Sequence, residues 1–403
     1  MTTASQPAVW RIEAEEHAHR IERVRAELEQ RGLGSLVVFG ATRIAYLTGF
    51  FHIHTERPIV LVIGAGGETA LLIPLLEQDH AEATLPEMEL AVYGEYPGPG
   101  PHPMVTLGRL IARLGLDQGL IGCDLDGYHD VNGYEGPPLS QVVDAPVVTA
   151  RDLVDGMRMV KSEAELDQLR CSAAWGDAAF LELRASIRPG LSPREVGLEA
   201  SITTMRRMTA ELGAGYRPLS ILLGSPVRAV LTAGGNTVYP HAFGGAGVLR
   251  RGDILLGYGH SDVGGYLALQ GRTLFLGEPD VRCRELFGHA HTLFEATLAA
   301  LRPGRRLSEV EAEICGLYDE LGLTAWKRHH SGHGVGLQMH ELPFIDLGDH
   351  RELLPGMVFA IMPALYVPGL GGFALADTLA ITASGSERLN GLPYELDWLT
   401  VAA

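Results

Sequence analysis

The chain is poor in cysteine, in clustered positive charge and in long apolar runs, and each shortage removes a class of function. Its four cysteines, Cys123, Cys171, Cys283 and Cys315, are widely spaced and form no CxxC pair. They read as reduced thiols of a cytoplasmic protein, not as a disulfide frame or a zinc knuckle. Lys and Arg number 32 against 49 Asp and Glu, for a formal charge of −17. Neutralising phosphates takes clustered cations, so nucleic acid is not an expected partner. No window approaches about 18 uninterrupted apolar residues, and residues 1–7 carry no basic patch followed by an apolar core. Neither a membrane span nor a signal peptide is therefore expected. Neither kind of glycine-rich phosphate loop occurs, which leaves nucleotide binding unsupported, and no short-period repeat is visible.

What is present is an ordinary globular composition, 46% apolar and 20% charged, over 403 residues. That length accommodates more than one core. Residues 10–32 carry apolar side chains at helical spacing (Ile12, Ile21, Val24, Leu28) and stop at Gly32. Strands are expected at 35–39, 59–63, 69–73 and 121–124, with helices near 76–83 and 107–114, the alternation of an α/β domain. A break is expected at 155–161, because Ser162 with Glu165 forms a capping box ahead of Leu166, Leu169 and Ala173. Ser192-Pro193-Arg194-Glu195 opens a second helix in the same way. Beyond it, strands are expected at 219–223, 254–258, 266–276, 357–361, 364–367 and 377–382, and helices at 281–301 and 307–321. The reading is α/β (α+β), with one domain over residues 1–157 and a second over 158–403.

The stretch His329-His330-Ser331-Gly332-His333-Gly334-Val335-Gly336-Leu337-Gln338-Met339-His340-Glu341-Leu342-Pro343 is the most chemically loaded part of the chain. Imidazole is the usual proton carrier near neutral pH and the commonest metal ligand, and glycine lets backbone sit where a side chain would block a ligand. The competing reading is a glycine-rich turn with incidental histidines.

Ordered motifs then point to a family. Tyr46-Leu47-Thr48-Gly49-Phe50 with Glu56-Arg57-Pro58, Met159-Val160-Lys161-Ser162, Pro240-His241, Gly252-Asp253, Gly265-Tyr266 with Arg272-Thr273, Gly332-His333-Gly334 with His340-Glu341, Pro355-Gly356-Met357 and Asp377-Thr378 follow one another along the chain. In that order they resemble the creatinase, aminopeptidase P and prolidase family. The resemblance implies a creatinase-type N-terminal domain followed by a catalytic domain with the pita-bread fold. The family's peptidases hold two metal ions with two Asp, one His and two Glu, and by motif these positions fall on Tyr258, Leu269, His333, Met362 and Ala376. Only His333 is kept, so no metal or other cofactor is expected and metallopeptidase activity is not.

Creatinase shares the fold without metal, and the equivalents of its three histidines are His241, His333 and His340. By resemblance His241 is general base and acid, and the other two orient substrate or water. Creatinase's guanidinium-binding carboxylates fall on Gly271 and Met362, and its carboxylate-gripping Arg on Phe344, so creatine is not the expected substrate. Substituted as they are, Tyr258, Leu269, Met362 and Ala376, with Ala374, suggest an apolar lining around one phenol, suited to a small, largely hydrophobic ligand. His260 lies two residues from Tyr258 and is expected to face the same way, either as an acid–base partner or as a hydrogen-bonded neighbour. Glu341 and Asp377 are carboxylates that either orient an imidazole or serve the scaffold. The family resemblance also implies a homodimer whose N-terminal domain covers the neighbouring site, with Arg57 and also His52 or His54 reaching across. Three functions follow: metal-independent hydrolysis of a non-peptide C–N bond, non-hydrolytic proton transfer (elimination, isomerisation or cyclisation) on a small apolar substrate, or a silent binding protein.

Overall fold

The computed structural model describes residues 11–128, 132–213, 216, 219, 225–242 and 247–403. Two compact units divide the chain, one over Ile12–Arg158 and one built from Met159–Ala403.

The first unit begins with α1 (Ala14–Arg31), ended by Gly32 at φ 65°, where the left-handed backbone favours glycine. It continues through β1 (Ser35–Val38), α2 (Ala41–Thr48), β2 (Val60–Gly64), β3 (Thr69–Pro74), α3 (Gln78–Thr84), β4 (Glu89–Tyr93), α4 (Pro103–Arg113), β5 (Ile121–Cys123), β6 (Val147–Thr149) and α5 (Arg151–Met159). The strands form one mixed sheet in the order β4-β3-β2-β1-β5-β6. Every strand anticipated from apolar runs is present. The two that were not, β4 and β6, are the sheet's edges, and their exposed positions interrupt the apolar pattern that a buried strand shows. Arg43 ties the sheet to α5: its guanidinium makes paired bonds of 2.8 and 2.7 Å to Asp155 and a third of 3.2 Å to Asp124.

The second unit opens with two long helices, α6 (Glu163–Ser186) and α7 (Pro193–Leu212), each begun by the expected Ser–Glu capping box. There follow β7 (Val227–Ala233), β8 (Ile254–Val263), β9 (Tyr266–Leu276), α8 (Val281–Ala300), α9 (Leu307–Glu320), β10 (Gly332–Gly334), β11 (Glu341–Ile345), β12 (Val358–Ile361), β13 (Ala364–Val367) and β14 (Gly371–Ile381). The main path of the sheet runs β11-β10-β12-β14-β9-β8-β7, with β13 paired to β14. The strand expected at 219–223 falls almost wholly outside the described residues, and β7, a few residues later, is what pairs with β8. The histidine-rich stretch is neither a turn nor a helix: β10 and β11 within it pair antiparallel and join the sheet's edge through β12.

Strand alternation gives this sheet two different faces. On one lies Asp377, wholly buried, 2.8 Å from Arg272 Nη2 and 2.7 Å from Arg388 Nε. Gln270 on the same face bonds the Gly176 carbonyl of α6 at 3.1 Å. Helix and sheet approach there through Gly176 and Gly259; a Cβ on Gly259 would lie 2.3 Å from the Gly176 oxygen. Asp377 is therefore scaffold, the second of its two expected readings. Asp377→Ala would leave Arg272 buried and unpaired, so a loss of about 3–5 kcal/mol in urea unfolding is expected, with the secondary structure by circular dichroism unchanged before the transition.

Candidate active site

The opposite face of the sheet carries the residues that the sequence singled out, and register brings them together. Directly opposed residues on antiparallel strands point to the same face. His333 on β10 is opposite Phe344 on one side and Ala360 on the other, and Ala360 is opposite Thr378 on β14. Ala376, two residues from Thr378, is opposite Gly271 on β9, which is opposite Tyr258 on β8. His260 is opposite Leu269. Tyr258 and Met362 pack against the buried group Leu256, Ala364, Tyr366 and Ala374. The apolar lining around one phenol is thus present. The Tyr258 ring lies over Gly271, where a Cβ would be 2.5 Å from its Cδ1.

Five imidazoles gather at one end of this face. The rings of His333 and His340 lie 3.9 Å apart between centroids, and those of His330 and His333 6.0 Å apart. His329 and His330 follow at 6.4 Å. His241 is exposed, yet close enough that its charge opposes protonation of both His329 and His340. Hydrogen bonds set two tautomers. His333 Nδ1 is 3.0 Å from the Gly334 carbonyl, which only accepts, so Nδ1 carries the proton and Nε2 keeps its lone pair. His329 Nδ1 likewise donates to the His330 carbonyl at 2.8 Å, and its Nε2 accepts from the Tyr366 hydroxyl at 3.0 Å. Desolvation, with the neighbouring imidazoles, holds His333 down at about 4 and lowers His329 and His340 below the ordinary imidazole value. His329, His333 and His340 are therefore disposed to stay neutral at neutral pH.

Tyr258 and His260 face the same way, with ring centroids 6.2 Å apart and planes 28° from parallel. The hydrogen-bonded pair that their spacing allowed is absent: the Tyr258 hydroxyl and His260 Nδ1 are both buried and neither has a protein partner. Two residues apart along a strand, both side chains stand off the sheet and cannot turn toward each other. Burial pushes the Tyr258 phenol up to about 12 and holds His260 at about 4, the latter with help from the Arg228 charge. The phenol is a permanent donor here and the imidazole stays neutral.

Other expected site residues have prior engagements. Glu341 bonds the Gln338 amide at 2.9 Å and Lys161 Nζ at 3.3 Å. Arg57 belongs to the other unit, where Glu95 holds it at 2.6 Å and Glu56 also pairs with it. His52 and His54 lie in that unit as well and are both held below the ordinary imidazole value by burial. Three participants were not anticipated. His329 and His330 stood in plain view beside the motif, whereas Tyr366 had no signal beyond its place in a strand.

The donor set decides whether metal fits. Of the five positions that carry ligands in the family's peptidases, one is an imidazole. The others are a phenol that stays protonated, a thioether packed in an apolar group, a leucine and an alanine. Hard divalent cations need carboxylate oxygen, so these residues do not fit a dinuclear site. Among the described residues no group of three or more His, Cys, Asp or Glu is placed to hold an ion.

Comparison with known proteins shows a family whose named relatives are peptidases. The model for metallopeptidase family M24 matches residues 167–383, and that for the creatinase/prolidase N-terminal domain matches 20–160. The probable dipeptidase PepE of Mycobacterium tuberculosis is 28% identical over 395 residues, which span 96% of this chain and 97% of that protein. The Xaa-Pro dipeptidase of Pyrococcus furiosus is 29% identical over 386 residues, 94% of this chain and 99% of its own. Among solved structures, dipeptidase PepE from Mycobacterium ulcerans superposes with a TM-score of 0.81 at 25% identity, covering 98% of this chain and 100% of that one. An Xaa-Pro dipeptidase from Bacillus anthracis, at TM-score 0.79 and 22% identity over 96% of this chain and 100% of its own, shares the fold.

The tautomer of His333 is directly measurable. In ¹⁵N-resolved imidazole spectra at pH 7, His333 should show a protonated Nδ1 and an unprotonated Nε2. It should remain neutral on acidification until the pH nears its value of about 4, well below free imidazole.

Proposed function

The chain belongs to metallopeptidase family M24, and from that premise we propose that it is a metal-independent enzyme whose histidines move protons on a small, largely apolar molecule. Its relatives carry dipeptidase names, and peptide hydrolysis is the reading those names favour. One observation carries the departure from them. Where the family's peptidases place four carboxylates, this chain places Tyr258, Leu269, Met362 and Ala376 on one sheet face, around a neutral His333 whose Nε2 is free to accept.

In this reading His241, exposed beside the cluster, takes a proton from water or substrate and returns it to the leaving atom. His333 Nε2 accepts a hydrogen bond that orients the attacking water or a substrate N–H. The Tyr258 hydroxyl donates to the atom on which negative charge grows, a role that a phenol held protonated can fill throughout the cycle. Hydrolysis of a non-peptide C–N bond is the simplest reaction of this kind. The apolar group Leu256, Met362, Ala364 and Ala374 favours a second one, an elimination, isomerisation or cyclisation that needs no water. We also propose a homodimer, with Arg57 outside the chemistry because two carboxylates already satisfy it.

A panel of small amides, amidines, guanidines and cyclic amidines, assayed with and without chelator, tests the proposal. Activity should survive chelation and gain nothing from Mn or Zn, and His241→Gln should lower kcat by about 100-fold or more. Incorporation of ¹⁸O from labelled water separates hydrolysis from the water-free reactions. Activity on an Xaa-Pro dipeptide that vanishes with chelator and returns with Mn would sink it.

A further inference from the structure

One cation faces this site without a counter-charge. Arg228 lies on β7, directly opposite His260 on β8, so its side chain leaves the same face as His260 and Tyr258. It is exposed, and among the described residues no carboxylate forms an ion pair with it, whereas the guanidiniums of Arg43 and Arg272 are each held by a buried carboxylate. Its charge is felt at His260, where it opposes protonation of that ring. Next to it stand two buried polar atoms with no protein partner, His260 Nδ1 and the Tyr258 hydroxyl. Leaving each of them unmet costs on the order of 1–3 kcal/mol, which a ligand atom bonded there offsets. Across the next strand the surface turns apolar, with Leu269 opposite His260 and with Leu256 and Met362 beside Tyr258.

We propose that Arg228 is a specificity residue that grips the carboxylate of a small acid, whose apolar body lies against Leu269 and Met362 and whose acceptor atom meets the Tyr258 hydroxyl. The inference rests on the reading of this face as a substrate site, and it names the class of molecule. Three features select that class. A single guanidinium suits a monoanion, since its fork matches a carboxylate and one positive charge leaves a phosphate dianion half compensated. Neutral His260 and Tyr258 add hydrogen-bonding atoms and no second charge, and the Arg228 guanidinium itself repels a cationic head at the same place. Strands lie about 5 Å apart, so a ligand reaching from Arg228 on β7 to Leu269 on β9 spans roughly 10 Å, the length of an acyl or aryl acid. Nothing in this arrangement is conveyed by the motifs of the family: Arg228 sits thirteen residues ahead of His241 in a strand whose only signal is alternation.

Calorimetric titration of the full chain with three isosteric probes tests it: 3-phenylpropionate, the uncharged 3-phenylpropionamide and the cationic 3-phenylpropylamine. The carboxylate should bind about tenfold or more tightly than the amide, and the amine should show no binding. Arg228→Gln should bring the carboxylate down to the affinity of the amide and leave the amide unchanged, Arg228→Lys should restore part of the difference, and Tyr258→Phe should weaken both. Arg228 is exposed, so these variants are expected to fold, which thermal melts verify. Equal binding of the carboxylate to wild type and Arg228→Gln would overturn the proposal, as would an amide that binds as tightly as the acid. The two readings fail separately. Arg228-dependent binding of 3-phenylpropionate without turnover of any member of the substrate panel ends the enzymatic reading and leaves this one standing. Chelator-resistant turnover in the panel, with 3-phenylpropionate bound equally by wild type and Arg228→Gln, ends this one alone.

Discussion

Everything in the catalytic unit depends on the two-residue alternation of one strand, β14, and on the ion group that holds its register. Asp377 points away from the site into a wholly buried contact with Arg272 and Arg388, while Ala376 and Thr378 on either side point toward it. A slip of one residue would exchange these faces, placing a carboxylate among the imidazoles and an alanine against two arginines. The cost of an unpaired buried guanidinium forbids that slip. Asp377 and Ala376 therefore serve different faces: Asp377 neutralises Arg272, and Ala376 lies opposite Gly271 on the site face.

The side chains on that face are coupled through their packing. Tyr258 brings a ring that crosses to β9, and only a glycine at 271 leaves room for it. Met362 fills the space beside it with Leu256, Ala364 and Ala374. The electrostatic effect follows from the packing. Nearby carboxylates stabilise imidazolium, whereas desolvation and neighbouring imidazoles destabilise it. With carboxylates at four positions, His333 would be drawn upward or bound to metal; without them, burial wins and the ring sits near 4.

Much of this was legible in the amino-acid sequence. Capping boxes at Ser162 and Ser192 and long apolar runs mark elements by local physics, and those elements recur in the structure. The alignment of ordered motifs located Tyr258, Leu269, His333, Met362 and Ala376, and register joins them on one face. What was not legible depended on partners far along the chain. Nothing local announces that Tyr366 will bond His329, 37 residues away, or that Arg228 will stand opposite His260. The short strand β10 was hidden by its glycines, which read as a turn until pairing with β11 and β12 supplies the missing hydrogen bonds. Spacing suggested that Tyr258 and His260 might bond each other, but side chains two apart on a strand run side by side and leave both polar atoms for something else.

A site built this way has an uncommon charge economy. Tyr258 stays protonated and the buried imidazoles stay neutral, so the fixed charge on this face is Arg228 at its edge. Positive charge on a neighbouring ring opposes protonation of His329, His333 and His340: His330 and His241 act on His329 and His340, and His340, His330 and His329 act on His333. An anion held by Arg228 would change the balance at His260, whose protonation that guanidinium opposes. Binding of such an anion and proton uptake by His260 are then reciprocally linked. Tyr258, Leu269, Met362 and Ala376 supply no negative charge to this face, and an anion held by Arg228 would supply one.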